Sequence, residues 1–191
     1  PDGRQMTLEG FHLQGGEGLP DRVGFSRFAQ GETEGLKLDG IEGDLDWGEQ
    51  QATLKNLDLP LGLGIERLHI NVSRMAEEGV AQVALAGRVG QGEIEADAAL
   101  AWSPEGVADH ELRVRAADLS AADVRPFGLP EEVAFGLENL GLRLEGDPAN
   151  PQALAAQMDL QVRDLRGGGV KAGTLQATAQ VAAGGQAELR A

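Results

Sequence analysis

The residues able to do chemistry in this chain are three histidines, a few serines and a set of clustered carboxylates. His12, His69 and His110 are residue types that ligate metals or move protons. They stand far apart, without H-E-x-x-H or paired-ligand spacing, and the chain has no cysteine to join them. Serines occur only at positions 26, 73, 103 and 120, and none sits in a Gly-x-Ser-x-Gly elbow, so a hydrolase triad has no anchor. The lack of cysteine also removes thiolate zinc sites, disulfides and thiol nucleophiles, and leaves the redox compartment open.

The carboxylates Asp39, Glu42, Asp44, Asp46 and Glu49 are spaced closely enough to suggest calcium, which takes several oxygens from one loop. The EF-hand pattern fails at its third ligand, where Gly48 stands. Residues 15–21, GGEGLPD, approach the calcium-binding β-roll repeat, but Asp21 falls one place late. A solvated acidic face explains both segments, and no metal or cofactor is expected. Asp44 and Asp46 would share a face of one strand, which leaves an acidic hydrolase as a third class of function with no other visible part. The string GRVGQGEIE at 87–95 does not complete G-x-G-x-x-G and has no βαβ surroundings. The chain reads as a protein that is not an enzyme.

These residues must be carried by strands. The clearest is Ile94, Ala96, Ala98, Leu100 and Trp102, alternating with Glu93, Glu95 and Asp97, the period of a sheet with one buried face. Similar runs are Leu36–Leu38; Ile41, Leu45, Trp47; Leu59, Leu61, Leu63, Ile65; and Leu68, Ile70, Val72. The second half continues with Leu112, Val114; Val133, Phe135, Leu137; Leu140, Leu142, Leu144; Met158, Leu160, Val162; and Leu175 to Val181. Parity changes between runs fall near glycines or polar residues, such as Gly40 or Glu66 with Arg67, which fits turns or bulges. Two passages share Leu-x-Asn-Leu-x-Leu, at 54–59 and 137–142, as a loose repeat without fixed period. About 13 to 15 strands are expected. Helix is scarce: Ser120 is placed to cap a turn over Ala121–Val124 that Pro126 ends, and 152–156 reads as short helix or loop.

Composition sets the rest. The 191 residues include 28 glycines, 26 leucines, 27 alanines, no tyrosine and only 4% aromatics, so the interior must be aliphatic. A net charge of -15 opposes nucleic acid as a partner. The longest hydrophobic run, Ala98–Trp102, is far short of the roughly 20 residues of a membrane-spanning helix. The fold expected is all-β: a long, curved, mostly antiparallel sheet forming an open groove, with one or two short helices. A β-sandwich or β-solenoid is the alternative. With few aromatics and no covering helix, a filled two-layer core is hard to complete, and an open apolar face suits linear apolar ligands. The residues expected on that face are Leu38, Leu45, Trp47, Leu54, Leu59, Ile70, Val72, Leu85, Leu100, Leu112, Val114, Leu142, Leu144, Leu160 and Val162.

Residues 111–169, with Leu119 to Pro126, Leu142 to Pro151 and Asp164 to Gly169 as matching positions, resemble a segment of the TamB and AsmA-like proteins of Gram-negative envelopes. Residues 37–48 and 59–70 are similar to strand repeats of the same family. The resemblance implies a periplasmic protein anchored in the inner membrane by a segment outside this chain. It implies a long β-groove, the β-taco, that helps move phospholipid between inner and outer membranes. It also implies a part in outer-membrane protein assembly through another region, with a BamA-type, TamA-like barrel as partner.

Residues 1–191 are therefore expected to form one section of a larger repetitive β-groove. The start Pro1-Asp2-Gly3 carries no targeting signal, so such signals would lie elsewhere. The competing class is a structural or adhesive β-repeat domain that binds protein partners.

Overall fold

The computed structural model describes residues 7–15, 21–29, 31–33, 36–38, 40–103, 106–147, 150, 153–184 and 187–190. Its first strands are short: β1 (Thr7–Glu9), β2 (His12–Gln14), β3 (Arg22–Ala29), β4 (Gly31–Thr33), β5 (Leu36–Leu38) and β6 (Ile41–Asp46). Then follow β7 (Gln51–Asp58), β8 (Leu63–Asn71), α1 (Met75–Glu78), β9 (Val80–Val89), β10 (Gly92–Ser103) and β11 (Gly106–Ser120). The chain continues through α2 (Ala121–Val124), β12 (Ala134–Gly146), β13 (Ala155–Gly167), β14 (Val170–Lys171), β15 (Thr174–Val181) and β16 (Ala187–Arg190).

All of these strands belong to one antiparallel sheet, ordered β1-β3-β6-β7-β8-β9-β10-β11-β12-β13-β15-β16, with β2 beside β3, β4 and β5 as a side hairpin, and β14 beside β13. From β6 to β13 each strand pairs with the next in sequence, which is a meander of hairpins. β1 and β16 end the path without pairing each other, so the sheet is open and not a barrel. The sandwich and solenoid alternatives are not what the described residues form. Twelve strands on the path at about 4.8 Å spacing make a sheet on the order of 53 Å across its strands.

The hairpins give the sheet two edges. The upper edge holds the 47–50 turn, α1 and the end of β10 at Ser103; the lower edge holds the Pro60–Gly62 3-10 turn, the Gly90–Gln91 turn and α2. Gly79 closes α1 at φ 68°, and a Cβ there would stand 2.3 Å from the Trp102 carbonyl oxygen, so only glycine fits this close approach.

α2 forms where Ser120 predicts it. Asp123 closes a capping box: the Ser120 N–H and hydroxyl donate to Asp123 Oδ2 at 2.8 and 2.6 Å. Pro126 does not end the segment. It opens a 3-10 turn over Arg125–Phe127, a position where its missing N–H costs nothing. Of the segment 152–156, Gln152 lies outside the described residues, the Ala153 N–H donates to the Asn150 carbonyl at 2.8 Å in a tight turn, and Ala155 and Ala156 already begin β13. The run Leu59 to Ile65 is not one strand: Leu61 lies at φ 65° inside the Pro60–Gly62 turn that joins β7 to β8.

The expected bulge at Glu66 is present, where pairing of β8 with β9 shifts between Ile65 and Arg67. It belongs to a row. Asn56, Asp118 and Asp164 adopt left-handed backbone at φ 59°, 54° and 52°, and pairing of β12 with β13 shifts at Glu138, between Leu137 and Asn139. Each inserts one residue into the alternation, so Leu57, Leu119 and Leu165 join the apolar face despite odd spacing from Leu54, Ala116 and Val162.

Candidate functional site

Residues directly opposite in a sheet share a face, so the register defines the site. One row runs Val23, Leu45, Ala52, Ile70, Val83, Ala98, Leu112, Leu144, Ala156, Val181 and Ala187 from β3 to β16. The next runs Leu54, Leu68, Leu85, Ala96, Val114, Leu142, Met158, Ala179 and Leu189. The sheet therefore carries an unbroken aliphatic face across all its long strands. Twist alone does not interrupt it, because the bulges restore the facing at each change of parity.

The face is most deeply covered at the lower edge and mostly half-buried elsewhere, apart from small residues such as Ala81 and Ala177 that their neighbours bury. Val89, Ala116, Leu119, Leu137 and Val162 form the buried cluster, at 5–7% exposure, with Leu63, Val124 and Phe135 packed against it. Leu63 on β8 and Val124 on α2 enter one cluster although β8 and β11 are three strand positions apart, so α2 and the following 3-10 turn lie over this end as a lid. Asp123 fastens the lid, since its Oδ1 accepts the Gln91 N–H at 3.0 Å from the β9–β10 turn. Gly90 makes room for it: at φ +59°, a Cβ would fall 2.0 Å from that oxygen. These donors, the Ser120 hydroxyl first, hold the Asp123 carboxyl below its ordinary pKa. Toward the upper edge, Leu45, Ile70 and Trp102 are 37–39% exposed. No side chain among the described residues is fully buried, as expected of a single layer.

Of the expected face residues, Leu45, Leu54, Ile70, Leu85, Leu100, Leu112, Val114, Leu142, Leu144 and Leu160 occupy it by register. Val162 occupies it too, but within the buried cluster at 6% exposure. Leu59 belongs to the turn after β7, Trp47 to the turn after β6, and Val72 follows β8; these three lie at the edges and not on strands, because the chain has already left the sheet. The side chain of Leu38 is outside the described residues, although β5 itself is described. Leu68, Ala96, Ala98 and Met158, members of the alternating runs but not among the residues expected on the open face, also occupy it by register, as does Val83, which sequence reasoning passed over. It also missed the switches Asn56, Asp118 and Asp164, each an Asn or Asp directly before a leucine at a change of parity.

The opposite face is polar. Arg113 and Arg143 stand directly opposite, as do Glu111 and Glu145. Such like-charge pairs repel, but here the two signs interleave: Glu111 accepts from Arg113 at 2.5 Å and Arg143 at 3.1 Å, while Arg143 also reaches Glu145. The Arg22 guanidinium holds Asp44 with Nε at 2.8 Å and keeps its carboxyl below the usual carboxylate range. An ionised Asp44 cannot serve as the general acid of a carboxylate pair with Asp46. His69 bonds Thr53 at 3.0 Å and His12 bonds the Gly10 carbonyl, while His110 stands on the aliphatic face opposite Leu100, 6.1 Å from the Trp102 ring, and accepts the Ala101 N–H at 3.1 Å, so the three histidines have separate local partners. Among the described residues the polar face carries open depressions, one lined by Asp97, Glu111 and Arg113 and another by Arg22, Lys55 and Arg67.

Among the described residues no group of three histidine or carboxylate side chains is placed to hold a metal. Asp39 and most of the glycine-rich 15–21 segment lie outside them. Among the described residues no helix is long and apolar enough to cross a membrane. No family model, curated protein or solved structure matches this chain.

Proposed function

We propose that this chain is a section of a lipid conduit, carrying phospholipid acyl chains along the aliphatic face of its open sheet. One observation supports this reading above the others: the face is continuous from β3 to β16, yet among the described residues no second sheet lies over it. Exposed apolar area of this extent is costly in water unless something apolar occupies it. An acyl chain gains about 0.8 kcal/mol for each methylene taken out of water there. Such binding needs shape and length and no precisely placed polar group, which agrees with a site built from Leu, Ala and Val.

In this reading the chain works in the periplasm, as part of a protein anchored to the inner membrane, and passes phospholipid toward the outer membrane. A role in outer-membrane protein assembly, with a BamA-type barrel reached through another region, belongs to the same proposal. The test is native mass spectrometry and organic extraction of the purified chain. Phospholipid retained in stoichiometric amount is the expected result, and a lipid-free protein under gentle purification would count against the conduit.

A second reading, a β-repeat scaffold for protein partners, is favoured by β16. All four of its residues are exposed, Leu189 to 71%, and its outer side pairs with no described strand. Such an edge is a template for another strand.

A further inference from the structure

Resting on the conduit reading, the two edges of the apolar face differ in a way that assigns an orientation to the lipid. At the lower edge α2 covers Leu119 and Leu137, each only 7% exposed, while Leu61 and Phe127 on the outer rim of that edge are 53% and 47% exposed. At the upper edge Trp47 is 54% exposed, Met75 40% and Trp102 39%. Both tryptophans of the chain are there. Indole rings favour the boundary between hydrocarbon and water, where one part of the ring is apolar and the N–H is wet.

Between the edges, β10 offers a furrow. Ala96 and Ala98 are flanked by Leu85 and Val83 on β9 and by Val114 and Leu112 on β11, so small side chains run between larger ones. The six residue steps from Ala96 to Trp102 span about 20 Å at the strand rise. One leaflet of a bilayer core is about 15 Å thick. A single acyl chain therefore fits along β10 with its methyl end at the lid and its head at Trp102.

The charges at the upper edge restrict that head. At this edge Arg74 pairs with Glu78, while the Arg22–Asp44 pair lies on the opposite, polar face. Glu49 and Glu77 have no salt-bridge partner among the described residues, and the Asp46 carboxylate accepts the Glu49 N–H. A head group with net negative charge is repelled here, and one that carries an ammonium is favoured.

We infer that a lipid lies parallel to β10, tail under the α2 lid and head at the Trp47–Met75–Trp102 edge, and that the preferred head group bears an amine and no net negative charge. The two tryptophans are the probe. The chain is loaded with an amine-headed phospholipid brominated on its acyl chain either near the head group or near the methyl end, and the bound lipid is quantified. Tryptophan fluorescence should be quenched more by the head-proximal bromines; equal or reversed quenching at equal occupancy overturns the orientation.

Vesicles of amine-headed and phosphoglycerol-headed lipids with the same chains then compete for the protein. Preference for the amine head should be about tenfold and should shrink in the double variant Glu49→Gln, Glu77→Gln. Equal retention of both heads, or a preference untouched by that variant, overturns the head-group assignment. Retention of neither lipid defeats the conduit reading itself, an outcome distinct from both.

Discussion

Asp123 shows how much a single side chain can organise in a sheet with so little buried volume. It caps α2, bonds the Ser120 hydroxyl and holds the β9–β10 turn, so one carboxylate fixes the lid to the sheet. Ser120→Ala should cost about 1 kcal/mol in chemical denaturation. Asp123 is titratable, and its folded pKa lies below the ordinary value. The folded state then binds that proton less readily than the unfolded chain. Its contribution is complete above the unfolded value, about 3.9, and is lost as pH falls through the lower folded one. Asp123→Asn should flatten this part of the acid limb, read from denaturation midpoints measured stepwise through that window. Leu119, buried beneath the lid, should cost about 2–5 kcal/mol as Leu119→Ala, a far larger loss than at any rim residue.

The strands depend on residues that break their own pattern. Asn56, Asp118 and Asp164 take left-handed backbone within β7, β11 and β13, a conformation that Asn and Asp tolerate better than other side-chain-bearing residues. Each turns the following leucine toward the aliphatic face. Asp118→Gly should leave stability within a few tenths of a kcal/mol or raise it, because glycine enters this conformation freely. Asp118→Val should cost roughly 1–2 kcal/mol or more. Urea denaturation of the pair decides the matter: equal effects would mean that the left-handed conformation at Asp118 is not what holds β11 in register. The loose repeat Leu-x-Asn-Leu-x-Leu is only half of this device, since Asn56 is left-handed and Asn139 is not.

For the whole molecule, the consequence is a sheet sealed along one edge and open along the other. Leu142 and Leu100 lie on the uncovered part of the face, and neither belongs to the buried cluster. Leu142→Asp or Leu100→Arg should therefore block lipid passage in the intact protein while leaving the far-ultraviolet spectrum and denaturation midpoint of this section nearly unchanged. If folding and transport were lost together, the face would be ordinary packing. Small-angle scattering should show an elongated particle, consistent with about 53 Å across the strands, and a compact globule would disagree with the open sheet.

Alternation of Leu, Ile and Val with charged residues was enough, by itself, to give an all-β sheet with one aliphatic side, most of the residues on that side, the helix start at Ser120 and the bulge at Glu66. These are properties of neighbouring residues, and period two makes them readable. The turn at Pro60–Gly62 was hidden because its leucines continue the same period through a change of direction. What only the tertiary structure decided is which part of the aliphatic side is covered. Val162 and Leu142 look alike along the chain, but Val162 joins the buried cluster beside α2 at the lower edge and Leu142 lies outside it. Burial depends on contacts between segments distant in sequence, and no local pattern of hydrophobic residues specifies them.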